Sequence, residues 1–214
     1  MYSAPVVAFA FSGFAVLHSL TVSRWFKRLV AGMAGETFMR AYYRLVFTVF
    51  SGIITLAAAY VVYIQPDITY WHPAWYIALP MRAVQLGGVA LALLAARPLD
   101  MGLFTGIRQA REHIKTGRTG GDIEGMAVGP LVTSGAYGLV RHPMYLGGAV
   151  IFLFEPYITE KTLILRLFAA AYFAWGGLIE ERRFTEDFGA AYLEYKGRVP
   201  MFNILKGFKP HARG

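Results

Sequence analysis

The sequence predicts an all-α integral membrane protein with about five transmembrane helices, and two observations support that prediction. Hydrophobic residues make up 56% of the 214-residue chain and charged residues only 16%, whereas soluble domains carry about 25% charged residues. The apolar residues are also gathered into long runs between polar segments rich in lysine and arginine. The same composition excludes a disordered chain, because disorder requires low hydrophobicity and high charge. The absence of cysteine excludes disulfides, thiolate metal sites and a cysteine nucleophile.

The apolar runs differ in how well they match the roughly 20 residues that a helix needs to cross a bilayer. The first run is predicted to be a retained span and not a signal peptide, because its positive charges, Arg24, Lys27 and Arg28, follow the apolar stretch instead of preceding it. The fourth run is too short to span alone and is predicted to pair with the fifth as a helical hairpin. The predicted spans are residues 4–20, 45–64, 83–96, 145–154 and 163–179.

Lysine and arginine are unevenly distributed between these spans. They are frequent between spans one and two, between spans three and four and after span five, whereas only Arg82 lies between spans two and three. Loops with an excess of positive charge stay in the cytoplasm, so the N-terminus is predicted outside and the C-terminus inside. The net charge of +8 is therefore a marker of topology. Its alternation argues against a nucleic-acid partner, which would need one basic face, and leaves the lipid bilayer as the predicted partner.

The chain is predicted to have two regions, a three-span membrane region over 1–96 and a C-terminal region over 97–214 with the hairpin and a cytoplasmic tail. Residues 97–115 are predicted to form an amphipathic helix with Arg108, Arg111 and Lys115 at anionic headgroups; a substrate gate is the alternative. The glycine-rich residues 116–129 are predicted to be a flexible loop. They lack the G-x-x-x-x-G-K-[ST] pattern of a phosphate loop, and no strand precedes them.

The most specific polar segment is LVTSGAYGLVRHPMYLG at residues 131–147. Arg141 and His142 stand immediately before an apolar run, and Pro143 suits the first position of a helix. The proline disfavours helical geometry at the preceding residue, so the Arg–His pair is predicted on a turn at the membrane surface. The alternative is that both residues are interfacial anchors, although an anchor does not need the glycine and tyrosines that flank the pair.

A second candidate group lies where the last apolar run ends. Glu180 and Glu181 close that run, and ionisable residues at the membrane boundary are costly and therefore functional candidates. His18, in the first span, is predicted to hydrogen-bond a neighbouring helix, with a catalytic role as the alternative. The histidines are scattered without H-x-x-x-H spacing, so no metal site is predicted.

Together these segments resemble the isoprenylcysteine carboxyl methyltransferase and phospholipid methyltransferase superfamily. The first matches its G-x-Y-x-x-x-R-H-P-x-Y-x-G signature, with alanine at position 136 where many members have proline. The second resembles its C-terminal signature, two glutamates followed by F-G-x-x-Y-x-x-Y-x-x-R-V-P. The N-terminal half, through LHSLTVSRWFKR and YYRLVF, is more weakly similar to the bacterial branch of nurim-like, NnrU-like and methanethiol methyltransferase-like proteins. The matching residues are Gly135, Tyr137, Arg141, His142, Pro143, Tyr145 and Gly147, then Glu180, Glu181, Phe188, Gly189, Tyr192, Tyr195, Arg198, Val199 and Pro200.

The resemblance implies an integral membrane methyltransferase that uses S-adenosylmethionine without a Rossmann domain, its cofactor pocket built by the C-terminal helices. It implies the bacterial inner membrane, with the active site facing the cytoplasm. Arg141 and Arg198 would be the catalytic residues, orienting an anionic acceptor or the cofactor carboxylate. Glu180 or Glu181 would accept hydrogen bonds from the cofactor, and Glu181 is the favoured one. The implied cofactor-binding residues are Gly135, Tyr137, His142, Tyr145, Glu180 and Glu181.

The sequence is compatible with several methyl acceptors. A lipophilic or membrane-partitioning acceptor, as in a protein-S-isoprenylcysteine O-methyltransferase-like enzyme, is the leading prediction. A carboxylate acceptor is already a nucleophile, whereas a small thiol would need help to form its thiolate, with His142 the nearest candidate. The alternatives are a thiol or phospholipid methyltransferase of the same superfamily, an NADPH-dependent sterol reductase-like membrane enzyme, and a non-catalytic membrane protein.

Overall fold

The computed structural model describes residues 3–120, 131–203 and 205, and within them helices dominate. Two short strands, β1 (Thr69–Trp71) and β2 (Ile158–Thr159), pair in antiparallel fashion. The predicted all-α fold class is confirmed. The helices are α1 (Ala4–Val22), α2 (Arg24–Ala41), α3 (Tyr43–Ile64), α4 (Trp75–Ala96), α5 (Met101–Thr105), α6 (Ile107–Thr116), α7 (Ala136–Leu139), α8 (Pro143–Leu153), α9 (Glu160–Phe188) and α10 (Ala190–Arg198).

Four helices of the described part of the chain, α1, α3, α4 and α9, are long and apolar enough to cross a membrane. Their outward surface is apolar, as at Leu56 and Leu86, which are 72% and 69% exposed. Broad apolar surface of this kind is unfavourable in water and suits lipid, so the protein is an integral membrane protein. The fourth predicted run forms α8, an 11-residue helix that is shorter than the roughly 20 residues of a full span. The predicted number of spans and their orientation stay predictions.

The last span extends well beyond its apolar run. α9 begins after a capping box, in which the side chains of Thr159 and Thr162 each accept a hydrogen bond from the other's backbone N–H. It continues to Phe188, because the glutamates and arginines that follow the apolar run are good helix formers. Glu180 and Glu181 therefore lie inside one continuous helix. Since neighbouring helical residues are about 100° apart, the two glutamates point in different directions.

The prediction of a single amphipathic helix over residues 97–115 is wrong in the number of helices, because α5 and α6 both lie in this segment. α5 and α6 meet at Gly106, which has a φ of +86°. A Cβ at this position would lie 2.3 Å from the Leu45 backbone nitrogen, so the close approach to the start of α3 requires glycine. Residues 121–129 of the glycine-rich segment lie outside the described residues, as do residues 206–214 of the predicted tail.

The described residues form two compact units, and the first contains α1, α2, α3, α5 and α6. Within it α1 packs against α3. The Tyr43 hydroxyl donates to the Thr21 carbonyl at 2.6 Å, and His18 Nδ1 lies 3.3 Å from the Ser51 hydroxyl. The predicted hydrogen bond from His18 to a neighbouring helix is confirmed.

The second unit contains α4, both strands and α7 to α10. α4 and α8 cross closely because glycines meet there, and a Cβ on Gly147 would lie 2.6 Å from the Gly88 carbonyl oxygen. Arg82 adds a bidentate ion pair to Glu155, with N–O distances of 2.7 and 2.9 Å. α8 packs against α9, which confirms the predicted hairpin. α4 belongs to this unit although it lies within the predicted N-terminal region 1–96. The division of the chain into 1–96 and 97–214 stays a prediction.

Candidate functional site

The two signature segments meet through main-chain hydrogen bonds. The Arg141 N–H donates to the Pro200 carbonyl oxygen at 2.9 Å, and the His142 N–H donates to the Met201 carbonyl oxygen at 3.4 Å. Pro143 takes the first position of α8, and His142 precedes it with a non-helical φ of −122° and ψ of 63°. The predicted turn at Arg141 and His142 is confirmed, and it is held against the segment that follows α10.

Glu181 lies at the centre of this arrangement, with a side chain that is only 6% exposed. Its Oε1 accepts hydrogen bonds from Arg141 Nε at 2.6 Å and from the Tyr192 hydroxyl at 3.0 Å, and lies 3.1 Å from His142 Nε2. Its Oε2 pairs with Lys196 Nζ at 2.9 Å. A buried carboxylate is tolerated only when donors replace its water, and these groups do so. Glu181 therefore joins the turn before α8 to both α9 and α10.

Arg141 is directed into the protein interior. Its side chain is 8% exposed, and besides Glu181 it donates from Nη1 to the carbonyl of Lys196 at 3.2 Å and to the carbonyl of Val199. These carbonyls belong to the C-terminal end of α10, where helix carbonyls lack partners within the helix. Arg141 thus caps α10 and neutralises Glu181 at the same time.

His142 lies between two aromatic rings and two carboxylates. Its ring is nearly parallel to Tyr145, with centroids 5.7 Å apart, and to Phe184, with centroids 6.5 Å apart. Nδ1 lies 3.1 Å from Glu180 Oε2, Nε2 lies 3.1 Å from Glu181 Oε1, and the side chain is 2% exposed. Both ring nitrogens are engaged with carboxylates and neither faces an open position.

Glu180 is more exposed than its neighbour Glu181 and has fewer partners within the protein. Its side chain is 30% exposed, and it interacts with His142 Nδ1 and with the Tyr145 hydroxyl. A carboxylate offers about four acceptor sites, so Glu180 retains acceptor capacity on its exposed side. Burial, with the Glu180 charge as a smaller cause, raises the pKa of the Tyr137 hydroxyl. Glu180, Tyr145 and Tyr137 therefore lie close enough to influence one another.

Two buried tyrosines attach α10 to the rest of the site. Tyr192 and Tyr195 form a small core with Val199, and the Tyr195 hydroxyl donates to the Tyr137 carbonyl at 2.7 Å. Burial raises the pKa of both tyrosine hydroxyls, and for Tyr192 the Glu181 charge raises it further. The hydroxyls therefore stay protonated as donors at neutral pH.

The glycines of the two signatures have conformational roles. Gly135, before α7, has φ 62° and ψ −130°, and Gly189, between α9 and α10, has φ 53° and ψ −128°. Residues with a side chain are strained in this region of the Ramachandran plot. Both glycines therefore direct the chain into short helices that carry site residues, Tyr137 on α7 and Tyr192 on α10.

Arg198 lies apart from the cluster. Its side chain is 56% exposed and pairs with Glu194, one turn earlier on α10, at 3.5 Å. An exposed pair of this kind contributes only about 0.3–0.5 kcal/mol. The structure brings together six of the other predicted site residues, and the seventh, Gly135, immediately precedes α7. The six are Tyr137, Arg141, His142, Tyr145, Glu180 and Glu181.

An open groove of about 460 Å³ runs along α9 and α10. This volume is typical of a small-molecule site. Among the described residues, no group of three or more histidine, aspartate or glutamate side chains could hold a metal ion. The residues lining the groove are Trp175, Leu178, Ile179, Glu181, Arg182, Thr185, Glu186 and Lys196.

Sequence reasoning found Tyr145 but missed Lys196 and two phenylalanine rings beside His142. Lys196 stands one turn after Tyr192 on α10, and this i,i+4 spacing was an available signal that both face the same neighbour. Phe184 and Phe202, whose rings lie 6.5 and 5.8 Å from His142, had no such signal, because the contacts depend on how the helices pack.

Proteins similar to this chain include several methanethiol S-methyltransferases. Methanethiol S-methyltransferase 2 of Bradyrhizobium diazoefficiens is 30% identical over 190 residues, which cover 88% of this chain and 68% of that protein. Methanethiol S-methyltransferase of Pseudomonas deceptionensis is 25% identical over 189 residues, and that of Pseudomonas sp. (strain GM41(2012)) is 27% identical over 194 residues, each with the same coverage of both chains. No family model and no solved structure matches the chain.

These similarities cover most of the chain, and therefore include the N-terminal half as well as the two signature segments. They confirm the resemblance to the bacterial branch that the N-terminal half indicated. The apolar helices and the polar cluster at the end of α9 agree with a methyltransferase embedded in a membrane. The chain belongs to the methanethiol S-methyltransferase family, in the bacterial branch of the isoprenylcysteine carboxyl methyltransferase-like proteins, and is an integral membrane methyltransferase.

Proposed function

We propose that this protein transfers a methyl group from S-adenosylmethionine to a small thiol at the cytoplasmic boundary of the bacterial inner membrane. The observation that carries the proposal is the cluster of Glu180, His142, Glu181 and Arg141, which lies where the apolar part of α9 becomes polar. The names of the similar proteins support methanethiol as the acceptor. The distribution of lysine and arginine supports a cytoplasmic site.

Glu180 is the residue that we assign to the methyl donor. The donor has a sulfonium cation, hydroxyls and an amino group, which call for an accessible carboxylate and for aromatic rings. Glu180 offers a carboxylate that is 30% exposed, and Tyr145 and Tyr137 supply rings and hydroxyls beside it, with the Gly135 backbone at the start of α7. These residues fit S-adenosylmethionine, which would supply an activated methyl group when bound. The sequence favoured Glu181, but its oxygens are engaged by protein donors.

Arg141, His142 and Glu181 are positioning residues in this proposal. Their mutual contacts hold the turn before α8, α9 and α10 in one arrangement, and the His142 ring orients both Glu180 and Tyr145. Methyl transfer requires alignment of nucleophile, methyl and sulfur more than acid–base chemistry, and correct positioning lowers the barrier by several kcal/mol. A rigid support for Glu180 and Tyr145 is therefore the contribution that we expect from this group.

The direction of Arg141 favours an uncharged acceptor over a carboxylate. Arg141 is the first of the two arginines that the sequence assigned to an anionic acceptor, yet its guanidinium is turned toward Glu181 and the carbonyls of α10. Arg198 is exposed on the far end of α10 and paired with Glu194. A thiol must lose its proton to become nucleophilic. Because both ring nitrogens of His142 already contact carboxylates, we assign that proton to water at the membrane boundary and not to His142.

Donor binding is tested by calorimetry of the purified protein in lipid nanodiscs with S-adenosylhomocysteine. We expect the wild-type protein to bind, and Glu180→Gln to weaken binding by about tenfold or more, because a hydrogen bond to a charged group contributes about 1.5–3 kcal/mol. Glu194→Gln is the matched control, since it makes the same chemical change in an exposed surface pair. Failure of the wild-type protein to bind, or binding of NADPH in its place, would contradict the proposal.

The acceptor is tested separately with a methyl-labelled donor in the same nanodiscs. Methanethiol and a prenylcysteine carboxylate analogue are offered in parallel, with the nanodisc phospholipid as a third acceptor. We expect label in the volatile thioether and none in the ester or the lipid. Label in the prenylcysteine ester would restore the isoprenylcysteine-like alternative and reject the thiol.

A further inference from the structure

The junction of α5 and α6 is fixed at the level where an apolar span begins. α3 begins at Tyr43, and Arg44 Nε donates to the Phe104 carbonyl at 2.6 Å while its guanidinium lies 4.9 Å from the Phe104 ring. Gly106 lies directly against the backbone of Arg44 and Leu45. Because the end of an apolar span marks the edge of the hydrocarbon layer, α6 starts at the membrane boundary.

One side of α6 packs against the protein and fixes the rotation of the helix. Ala110 is 5% exposed, and His113 Nδ1 lies 2.9 Å from the Tyr42 hydroxyl. With about 100° per residue, the positions of Ala110 and His113 determine which of the remaining side chains point outward.

The outward side of α6 has an apolar strip next to a basic strip. Ile107 and Ile114, two turns apart on one line, are 47% and 74% exposed. Arg111 and Lys115, one turn apart and both exposed, lie beside that line on the side away from Ala110. Arg108 continues the basic strip but is already paired with Asp100, 2.5 Å away, so Arg111 and Lys115 are the cations that we assign to a partner.

We propose that α6 is an interfacial helix that binds anionic phospholipid headgroups through Arg111 and Lys115. Exposed isoleucines beside lysine and arginine are the pattern of a helix lying in the plane of the bilayer surface, with the apolar side at the acyl boundary and the cations at phosphates. The depth of the α5–α6 junction puts both strips at the correct level. Each cation favours an anionic surface by about fivefold, so α6 recruits anionic lipid to this face of the protein.

The absence of cysteine from the chain permits a site-specific test of where α6 lies. Ile114→Cys is labelled with an environment-sensitive fluorophore in nanodiscs. Glu112→Cys is the matched control, because Glu112 lies nearly on the opposite side of the same helix. We expect the label at 114 to be quenched by nitroxide lipid and protected from iodide, and the label at 112 to behave in the opposite way. Iodide access equal to that of the control would overturn the proposal.

Lipid selectivity is measured with the label at 114 and nitroxide carried either by phosphatidylglycerol or by phosphatidylcholine at equal mole fraction. We expect phosphatidylglycerol to quench more strongly, by up to about fivefold for each cation, and Lys115→Gln to reduce this preference. Arg111→Gln combined with Lys115→Gln should abolish it, whereas Arg198→Gln, which removes a cation from α10, should leave it unchanged. Equal quenching by both lipids, or loss of preference in Arg198→Gln, would overturn the proposal. The readout does not involve methyl transfer, so its failure is independent of the proposed function.

Discussion

Glutamine in place of Glu181 should destabilise the protein far more than the same change at Glu180. Glu181 is 6% exposed and its charge compensates Arg141, which is 8% exposed. Removing one partner of a buried ion pair costs about 3–5 kcal/mol, because the other charge stays buried without compensation. Lys196 is 46% exposed and can turn to water, so it adds little. We therefore expect a loss near the lower end of this range, about 3 kcal/mol.

Thermal unfolding in nanodiscs measures this loss. For a chain of this size 1 kcal/mol corresponds to roughly 2–4 °C, so the melting temperature of Glu181→Gln should fall by about 6–12 °C. Glu180→Gln, with a side chain that is 30% exposed, should lose only about 1 kcal/mol. For S-adenosylhomocysteine binding we expect the opposite order, with a larger loss of affinity in Glu180→Gln than in Glu181→Gln.

Two outcomes would refute this separation of roles. One is a Glu181→Gln protein that melts at the wild-type temperature but no longer binds S-adenosylhomocysteine, since Glu181 would then be a ligand and not a structural carboxylate. The other is an equal loss of stability in both variants, since burial and the contacts with Arg141 would then not determine the cost.

Three further predictions concern the glycines and the buried tyrosine. Gly147→Ala places a methyl group 2.6 Å from a backbone oxygen of α4 and should cost about 1–3 kcal/mol, whereas Gly87→Ala, with no atom within 4 Å, should not lower the melting temperature. Gly135→Ala, at a φ of 62°, should cost about 1–3 kcal/mol in the same measurement, and an unchanged melting temperature would contradict the strain. Because the pKa of Tyr192 is raised on folding, its contribution to stability holds below the ordinary tyrosine pKa of about 10 and is lost as the pH rises further. Tyr192→Phe should make the fall in melting temperature between pH 9 and 11 shallower. A fall as steep as that of the wild-type protein would contradict the raised pKa of Tyr192.

The membrane spans were predictable because their signal is local. A helix can enter lipid only if a long run of its own residues is apolar, so composition along the chain marks the spans α1, α3, α4 and α9 directly. The turn at Arg141 and His142 was predictable for a similar reason, since Pro143 restricts the residue before it. The extension of α9 to Phe188 was not marked by hydropathy, because helix formation continues where hydrophobicity ends.

Interactions between residues distant in sequence were not predictable to the same degree. Arg141 and Arg198 both belong to the signatures, yet Arg141 is buried against Glu181 while Arg198 is exposed beside Glu194. The spacing of Glu194 and Arg198 allowed an i,i+4 pair, but nothing in the pattern excluded Arg198 from the site. Likewise, the division of α5 from α6 depends on the approach of Gly106 to the backbone of Leu45, which lies far from it in sequence.

The sequence by itself therefore determined that this protein is helical, membrane-embedded and equipped with paired polar signatures, because hydropathy, proline and glycine act over a few residues. Only the tertiary structure decided what each polar residue does. Glu180 and Glu181 are chemically identical neighbours, and about 100° of helix rotation turns Glu181 into the buried partner of Arg141 while Glu180 stays accessible. That distinction depends on which surfaces pack around α9, and no local pattern specifies it.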